Sequence, residues 1–299
     1  MKLNNNGLIL AMQQVKNLGR KKIYKSLIKL NLENYNNLET CFNDLKIHQV
    51  INYKDFQNIY ETELEKLKLF QSKNVTTVNL FENDEFGFYK NKVFCRNAFE
   101  INEYPIQLFI INKTKINLEK FNRIFTVIGS RNSSNEAIKI THEVSAFLSN
   151  QTIPILSGLA RGIDTVAHES TVKNNGIGIA VLGNGLDSIY PAENRPLALN
   201  IVKKGMLVSE YTFGLKAERF RLIERDRLQA MMATDVILIE SEIDGGSMHA
   251  VNWAIKLKKN IWCFNSNASG NQKIIKDYST VKTFKDLNDF KEKFNISQF

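Results

Sequence analysis

The sequence predicts an α/β protein in which a doubly wound, mainly parallel sheet follows a small helical N-terminal domain. From about residue 122, short runs of branched apolar residues alternate with amphipathic helical patterns, which is typical of strands buried on both faces of a parallel sheet. Residues 1–70 instead repeat apolar positions at helical spacing. A chain of 299 residues is long enough for about two domains. We therefore predict domains at 1–70 and 122–299, with a connector at 71–121.

The N-terminal segment predicts two helices separated by a turn at 17–20. The first helix carries apolar residues one turn apart, and the second carries Ile23 and Leu27. A helix, a glycine-containing turn and a helix are also the layout of a degenerate helix-hairpin-helix or SAM-like domain, in which turn amides face a phosphate. Because the motif is short, we prefer a simple αα-hairpin in a small helical bundle.

The connector predicts strands at 75–80 and 108–111, with the acidic stretch 82–85 between them. We expect it to pack on the sheet that follows. The sheet itself has six candidate buried strands, at 125–128, 153–156, 178–182, 206–208, 236–239 and 261–264. In such sheets ligands bind beyond the carboxyl ends of the strands, so the segments after each strand are the most informative.

Charge and composition narrow the classes of function. Lys and Arg number 40 against 31 Asp and Glu, a net charge of +9 that favours a polyanionic partner, although general enrichment in Lys and Asn accounts for part of it. We expect a cytoplasmic protein without a membrane span, because no apolar run approaches the length of one. The three cysteines form no CxxC pair and the four histidines have no ligand spacing, so we predict no disulfide framework, no metal and no cofactor.

The segments after the predicted strands combine glycine with Ser, Asn or Arg, and several lead into a predicted helix. Glycine lets the backbone approach a ligand closely, and helix N-termini attract phosphates. Neither a P-loop nor a complete dinucleotide fingerprint is present. We predict phosphate binding by this edge of the sheet. Its candidate residues include Gly129, Ser130, Arg131, Ser157, Gly158, Gly162, Gly183, Gly185, Asn194, Gly245, Gly246 and Ser247.

The densest run of arginines lies at 218–227. One interpretation is a solvated helix face with ion pairs one turn apart, such as Arg221 with Glu218 and Glu224. The other is a set of guanidinium clamps on phosphates, with Phe220 available for base stacking. Because the run precedes a predicted strand near the ligand edge, we favour phosphate binding.

Several of these motifs occur in one order that resembles the bacterial DNA-processing protein A family (DprA, also called Smf). The similar segments are the Gly-Ser-Arg at 129–131, the Ser-Gly-Leu-Ala-Arg-Gly-Ile-Asp at 157–164, the Leu-Gly-Asn-Gly-Leu-Asp at 182–187, Tyr190-Pro191, Asn194 and the Ser-Glu-Tyr at 209–211. A looser similarity covers 270–277 and the connector. The resemblance is loose from residue 1 and strong from about 122 to 280.

The resemblance implies an extended Rossmann-like fold and a non-enzymatic single-stranded DNA-binding function. Family members protect incoming strands during natural transformation, load the recombinase RecA onto them and act as homodimers, so it also implies RecA and a second copy as partners. Carried onto this chain, it assigns Arg225 and Arg227 to an arginine pair. It assigns the phosphate pocket to Gly129, Ser130, Arg131, Ser157, Gly158, Leu159 and Gly162.

The chain departs from the family pattern at several places. The family's Phe-Pro-x-Arg-Asn-Arg reads here Leu-Ile-Glu-Arg-Asp-Arg, so that Asp226 lies between the two arginines. His249 stands where a smaller residue is usual. We also expect no C-terminal winged helix, because the sequence ends at Phe299 soon after the last matched stretch. These differences suggest a divergent branch associated with a mobile element or with defence. The expected role is therefore DNA uptake and recombination, or a defence-related variant of it.

Two alternatives stay open at this point. The first is a nucleotide-binding sensor or nucleotide-processing enzyme of the same Rossmann superfamily, in which Glu210, Glu240 or His249 performs acid–base chemistry. By contrast, we interpret Asp164, His168 and Glu169 as parts of an ordinary helix and its capping loop. The second alternative is a scaffold whose helical N-terminal domain recruits another protein.

Overall fold

The helical N-terminal part consists of four helices around their own apolar core. In the computed structural model, which describes residues 3–30, 32–81 and 103–296, these are α1 (Asn5–Gln14), α2 (Arg20–Leu27), α3 (Leu38–Leu45) and α4 (Tyr53–Ser72). The side chains of Asn4, Asn37 and Asn52 cap α1, α3 and α4 by accepting a backbone N–H three residues later. The predicted break between the first two helices is present, and Gly19 is the N-cap of α2.

A nine-stranded sheet forms the rest of the described structure. Its strands are β1 (Thr76–Asn79), β2 (Gln107–Ile111), β3 (Phe125–Ile128), β4 (Ile155–Ser157), β5 (Gly178–Leu182), β6 (Met206–Ser209), β7 (Asp235–Leu238), β8 (Asn260–Phe264) and β9 (Lys282–Phe284). The order across the sheet is β1-β2-β6-β5-β4-β3-β7-β8-β9. All pairs from β6 to β9 in this order are parallel, whereas β1 and β2 add to β6 as antiparallel strands. The connector thus extends the sheet.

Helices cover both faces of the parallel part, which confirms the predicted α/β, doubly wound architecture. They are α5 (Asn135–Asn150), α6 (Ile163–Lys173), α7 (Arg195–Ile201), α8 (Arg219–Met231), α9 (Ser247–Lys256), α10 (Ser269–Asp277) and α11 (Leu287–Ile296). Successive residues of β3 face opposite cores, since Val127 packs with α5 and α6 and Ile128 packs with α8 and α9. No helix among the described residues is long and apolar enough to cross a bilayer. The acidic stretch 82–85 and Cys95 lie outside the described residues.

The direction of winding reverses between β3 and β7. Strands β3, β4, β5 and β6 follow one another toward one edge, whereas β7, β8 and β9 follow one another toward the other. A hydrogen bond of 2.7 Å from the Ser130 N–H to the Glu240 carbonyl joins the loops that leave these two strands. In open α/β sheets this reversal leaves a crevice at the strand ends, where ligands bind.

Candidate nucleic-acid interface

A cavity of about 620 Å³ lies at this reversal point. Its walls come from the loop after β3, the loop before α6, the first three turns of α8 and the loop between β7 and α9. Convergence of these segments is the geometry that the strand-end analysis predicts. The cavity lining includes Gly129, Ser130, Arg131, Arg225, Gly245, Gly246 and Ser247.

The loop after β3 is shaped by close contact with α6. A Cβ atom on Gly129 would lie 2.5 Å from Ile163 Cγ1, so a larger residue does not fit there. The Ser130 carbonyl accepts from the Ile163 N–H at 3.2 Å, and its hydroxyl donates to the Asn132 carbonyl at 2.8 Å. The next side chain, Arg131, is exposed, and within the described residues it forms no ion pair. Its charge is therefore available to a ligand in the cavity.

The loop between β4 and α6 is held from both sides. Asp164, in the first turn of α6, accepts from the N–H groups of Gly158 at 3.0 Å and Ala160 at 3.3 Å. This confirms its interpretation as a loop-capping residue. Gly162 has a φ of 71°, and a Cβ there would lie 2.2 Å from the Ser130 carbonyl oxygen. Three predicted residues here are buried. Ser157, the last residue of β4, donates its hydroxyl to the Val127 carbonyl at 2.7 Å, the Leu159 side chain is in the core, and Gly158 is buried between them.

Arg225 is buried beneath the loop before α6 and forms part of the cavity wall. Its Nη1 donates to the carbonyls of Gly158 at 2.5 Å and Val181 at 2.7 Å, and its Nε donates to Asp226 Oδ1 at 3.1 Å. Only 4% of the residue is exposed, so Arg225 supplies positive charge mainly through the wall of the cavity.

Asp226 brings a carboxylate into the same wall. Burial raises the pKa of Asp226 to about 6, which outweighs the opposing effect of Arg225. The Gln229 amide, oriented with its nitrogen toward this carboxylate, donates at 2.9 Å. This wall of the cavity thus contains a cation and a carboxyl group whose pKa is closer to neutrality than that of an ordinary aspartate.

The opposite wall is the N-terminal end of α9. Ser247 begins that helix, and its hydroxyl donates to the Ser241 hydroxyl at 2.7 Å. A Cβ on Gly246 would meet no atom within 4 Å, so the backbone there is open to the cavity. The exposed residues Glu242, Asp244 and His249 also line this side, which means that two carboxylates lie at this part of the rim.

Arg227 is placed elsewhere. It is 2% exposed and donates to the Glu103 carbonyl and to the Glu210 carboxylate. Arg20 of α2 extends this network, with its guanidinium 3.3 Å from Glu103 and 3.9 Å from Glu210. The structure therefore brings Arg225 to the cavity but not Arg227. Instead, Arg227 belongs to a network that connects the helical N-terminal part with the sheet.

The sequence of this chain also matches a known protein family. The family model for DNA recombination-mediator protein A matches residues 85–295. The chain belongs to this family. The match covers strands β2 to β9 and every loop that lines the cavity, so the cavity is part of the family's own fold.

Curated relatives match this chain over about half of its length. It is 38% identical over 149 residues to the DNA processing protein DprA of Streptococcus pneumoniae, which covers 50% of this chain and 51% of the relative. It is 35% identical over 136 residues to Protein Smf of Synechocystis, which covers 46% of this chain and 34% of the relative. The matched part thus spans about half or less of these relatives.

Two solved structures have a similar fold. The crystal structure of DprA from Streptococcus pneumoniae superimposes with a TM-score of 0.75 and 25% identity, and the match covers 97% of both chains. DprA from Helicobacter pylori, whose structure addresses its single-stranded DNA binding mode, gives a TM-score of 0.62 and 21% identity over 75% of this chain and 96% of that one. The extended Rossmann-like fold expected from the resemblance is thereby confirmed.

Three further residues that the sequence analysis assigned to phosphate binding lie outside the cavity lining. A Cβ on Gly183 would lie 2.9 Å from Leu222 Cδ2, and one on Gly185 would lie 2.4 Å from the Thr212 carbonyl oxygen. Buried Asn194 donates to the Leu159 carbonyl at 2.9 Å and to the Thr165 hydroxyl at 2.8 Å. Each of these residues has a packing role that supports the loops around the cavity.

The structure also adds cavity residues that the sequence analysis did not assign to it. Arg219 lines the cavity from the start of α8 and is exposed, and Gln229 lies ten residues further along the same helix. Tyr190, which the sequence analysis noted only for its spacing, lines the cavity with 46% of its surface exposed. The arginine-rich segment was a signal for Arg219, whereas nothing in the sequence pointed to Gln229.

Proposed function

We propose that this protein binds single-stranded DNA by its phosphate backbone, without catalysis, and passes it to a recombinase such as RecA. The observation that carries the proposal is the cavity at the reversal point, where exposed Arg131 and Arg219 flank an open glycine backbone. Phosphate oxygens accept hydrogen bonds from groups of this kind, namely exposed guanidinium groups and accessible backbone N–H groups.

The side chains near the cavity favour a single strand over a duplex. Tyr190 and Phe220 are 46% and 54% exposed, and the Arg221 guanidinium lies 4.7 Å from the centre of the Phe220 ring. Unpaired bases stack on exposed aromatic rings with little sequence preference. A paired base inside a duplex does not offer its face to such a ring.

Carboxylates in the cavity lining limit how much any single phosphate contact contributes to affinity. Asp226, Glu242 and Asp244 all line the cavity and repel phosphate. Arg225 and Gln229 partly offset the charge of Asp226 through direct hydrogen bonds. We therefore expect binding that depends on several phosphates and that decreases strongly with salt.

Support also comes from the relatives. The family name describes a recombination mediator, and the structurally similar DprA of Helicobacter pylori is studied for single-stranded DNA binding. Action as a homodimer and a role in natural transformation or in defence belong to the same proposal. Sedimentation of the purified chain tests the dimer: a monomer at micromolar concentration would contradict it.

The deciding experiment measures fluorescence anisotropy of labelled oligo-dT, of the matching duplex and of an RNA of the same length, between about 50 and 200 mM salt. We expect the single strand to bind most tightly and its affinity to fall by at least about tenfold over that range. An affinity that does not change with salt, or an equal affinity for the duplex, would overturn the proposal.

The cavity also suits one nucleotide, which supports a second candidate, a nucleotide sensor or nucleotide-processing enzyme. Its volume of about 620 Å³ is in the range of small-molecule sites, and His249 lies exposed at its rim. Two other acid–base candidates have structural partners, because Glu240 accepts from Ser134 at the start of α5 and Glu210 accepts from Arg227. Calorimetry separates the candidates: tight mononucleotide binding without oligo-dT binding would favour the second.

A further inference from the structure

A second cavity lies on a different part of the molecule, at the side of the sheet where β2 and β6 pair. Its volume is about 430 Å³, and it shares no lining residue with the cavity at the reversal point. Its aliphatic surface is formed by Ile111, Leu186, Ile189, Ala198, Leu199, Val202 and Leu207. Leu199 projects from α7 with 60% of its surface exposed, so the cavity has an apolar lip as well as an apolar floor.

Three cations surround this aliphatic cavity. Lys73 follows α4, Lys113 follows β2 and Arg195 begins α7, and all three are exposed. Within the described residues none of them forms an ion pair. The single carboxylate in the lining, Asp187, accepts from the Gly214 N–H at 3.0 Å. The rim therefore has an excess of positive charge around an apolar centre.

A polar groove continues from this cavity toward the edge of the sheet. It shares Asn74 and Lys113 with the cavity and includes Thr76 and Thr77 of β1. Its lining consists of amide, hydroxyl, lysine and aliphatic residues, without a carboxylate. Because β1 is the outermost strand of the described sheet, an extended chain in this groove would meet main-chain hydrogen-bonding groups.

We propose that this surface docks an acidic segment of a partner protein that inserts one bulky aliphatic side chain into the cavity. The aliphatic lining selects the side chain, and Lys73, Lys113 and Arg195 select the flanking carboxylates. The lining contains no aromatic ring, so it offers no stacking surface to a nucleobase. The proposal is independent of the DNA-binding cavity and assigns a partner surface that the proposed function does not use.

The first test uses short fluorescent peptides of Asp and Glu around a central leucine, and the full-length protein. Two control peptides replace the leucine by serine or the acidic residues by lysine. We expect the acidic leucine peptide to bind at least about tenfold more tightly than either control. Equal binding of the three peptides, or binding of none, would overturn the proposal.

The second test places charges at the surface. The triple variant K73E/K113E/R195E should weaken binding of the acidic leucine peptide by more than about tenfold. A matched triple variant, K29E/K173E/K276E, changes the net charge equally at exposed lysines that line neither cavity. If both triple variants weaken binding equally, the effect is one of overall charge and the site is rejected.

The third test has two parts. The first part separates the apolar contact from the charged contacts, and the second distinguishes a protein partner from a nucleic-acid partner. Leu199→Gln, which adds no charge, should weaken peptide binding by more than about tenfold, whereas Leu69→Gln, at a residue that is 48% exposed on α4, should not. Oligo-dT affinity should be the same for K73E/K113E/R195E and for its matched triple variant. A selective loss of oligo-dT binding in the first variant would identify a nucleic-acid surface and overturn the protein-docking proposal.

Discussion

The guanidinium of Arg225 lies directly against the backbone of Gly158. Its Nη1 donates to the Gly158 carbonyl oxygen at 2.5 Å, and a Cβ atom on residue 158 would come within 1.9 Å of that same nitrogen. The loop before α6 and the middle of α8 thus fit together only if residue 158 has no side chain. This contact sets both the shape and the charge of the cavity wall.

Gly158→Ala should therefore displace Arg225 and lower the free energy of unfolding by about 2–3 kcal/mol. Oligo-dT affinity should fall as well, because the cavity wall loses its shape. Urea unfolding and anisotropy measure the two effects. Gly246→Ala is the matched control: the space there is open, so stability should change by less than about 0.5 kcal/mol. A Gly158→Ala protein as stable as the original would contradict the contact.

Arg131→Ala should weaken oligo-dT binding by about tenfold and reduce the salt slope by about one counterion, since the exposed guanidinium is expected to neutralise one phosphate. Stability should not change, because Arg131 forms no ion pair within the described residues. Arg195→Ala, an exposed arginine at the start of α7, controls for loss of one positive charge. If both variants bind oligo-dT as the original does, Arg131 has no role in DNA binding.

The different positions of Arg225 and Arg227 show which part of the candidate site could not be predicted from the sequence. The sequence pattern predicted β3 and β5 with their observed bounds, because each is a short run composed mostly of apolar residues. Convergence of the loops at 129–131, 157–162 and 245–247 follows from parallel strands ending at one edge. Once α8 is helical, however, residues two apart project about 200° from one another. Without the position of the helix relative to the sheet, the sequence did not indicate which arginine faces the cavity.

The edges of the sheet are a second feature that the sequence did not predict in full. Strand β9 is only three residues long, Lys282–Phe284, and has one fully buried side chain, so its apolar signal is too weak to detect. The antiparallel addition of β1 and β2 to β6 depends on pairing between segments distant in the chain. Local patterns carry no information on such pairing.

Arg227→Ala should lower the free energy of unfolding by about 3–5 kcal/mol, because it leaves Glu210 without its principal partner in a buried network. Oligo-dT affinity of the folded protein should be unchanged, since Arg227 does not line the cavity. Thermal and urea unfolding measure the loss, and the double variant R227M/E210Q should recover part of it by removing both charges. Normal stability together with lost oligo-dT binding would instead assign Arg227 to the DNA site.

The Asp226 carboxyl group should make oligo-dT binding depend on pH. Burial raises its pKa to about 6, so that lowering the pH from about 8 to 5 protonates it and removes a negative charge from the cavity. Affinity should rise accordingly. Because His249 also lines the cavity, the measurement uses H249Q as background. There, Asp226→Asn should bind several-fold more tightly at neutral pH and lose the pH dependence; an unchanged dependence would exclude Asp226.

The same carboxyl group should affect stability with a defined sign. The folded state retains the proton up to a pH of about 6, whereas the unfolded state releases it near 3.8. The free energy of unfolding contributed by this group is therefore largest below the lower pKa and declines as the pH rises between the two. Asp226→Asn should remove this decline. Urea unfolding at several pH values across that window measures it, with Asp244→Asn as a control at an exposed carboxylate of the same cavity.

Phe220→Ala should weaken oligo-dT binding by about 1 kcal/mol, roughly fivefold, because an exposed ring offers one stacking contact to an unpaired base. The ring is 54% exposed at the start of α8, with Arg221 against one face, so one face remains for a base and stability should not change. Phe220→Trp should bind at least as tightly as the original. Ile243→Ala, at a residue that is 53% exposed, controls for loss of apolar surface. Equal affinity of the alanine and tryptophan variants would exclude stacking at this position and leave Tyr190 as the aromatic contact to test next.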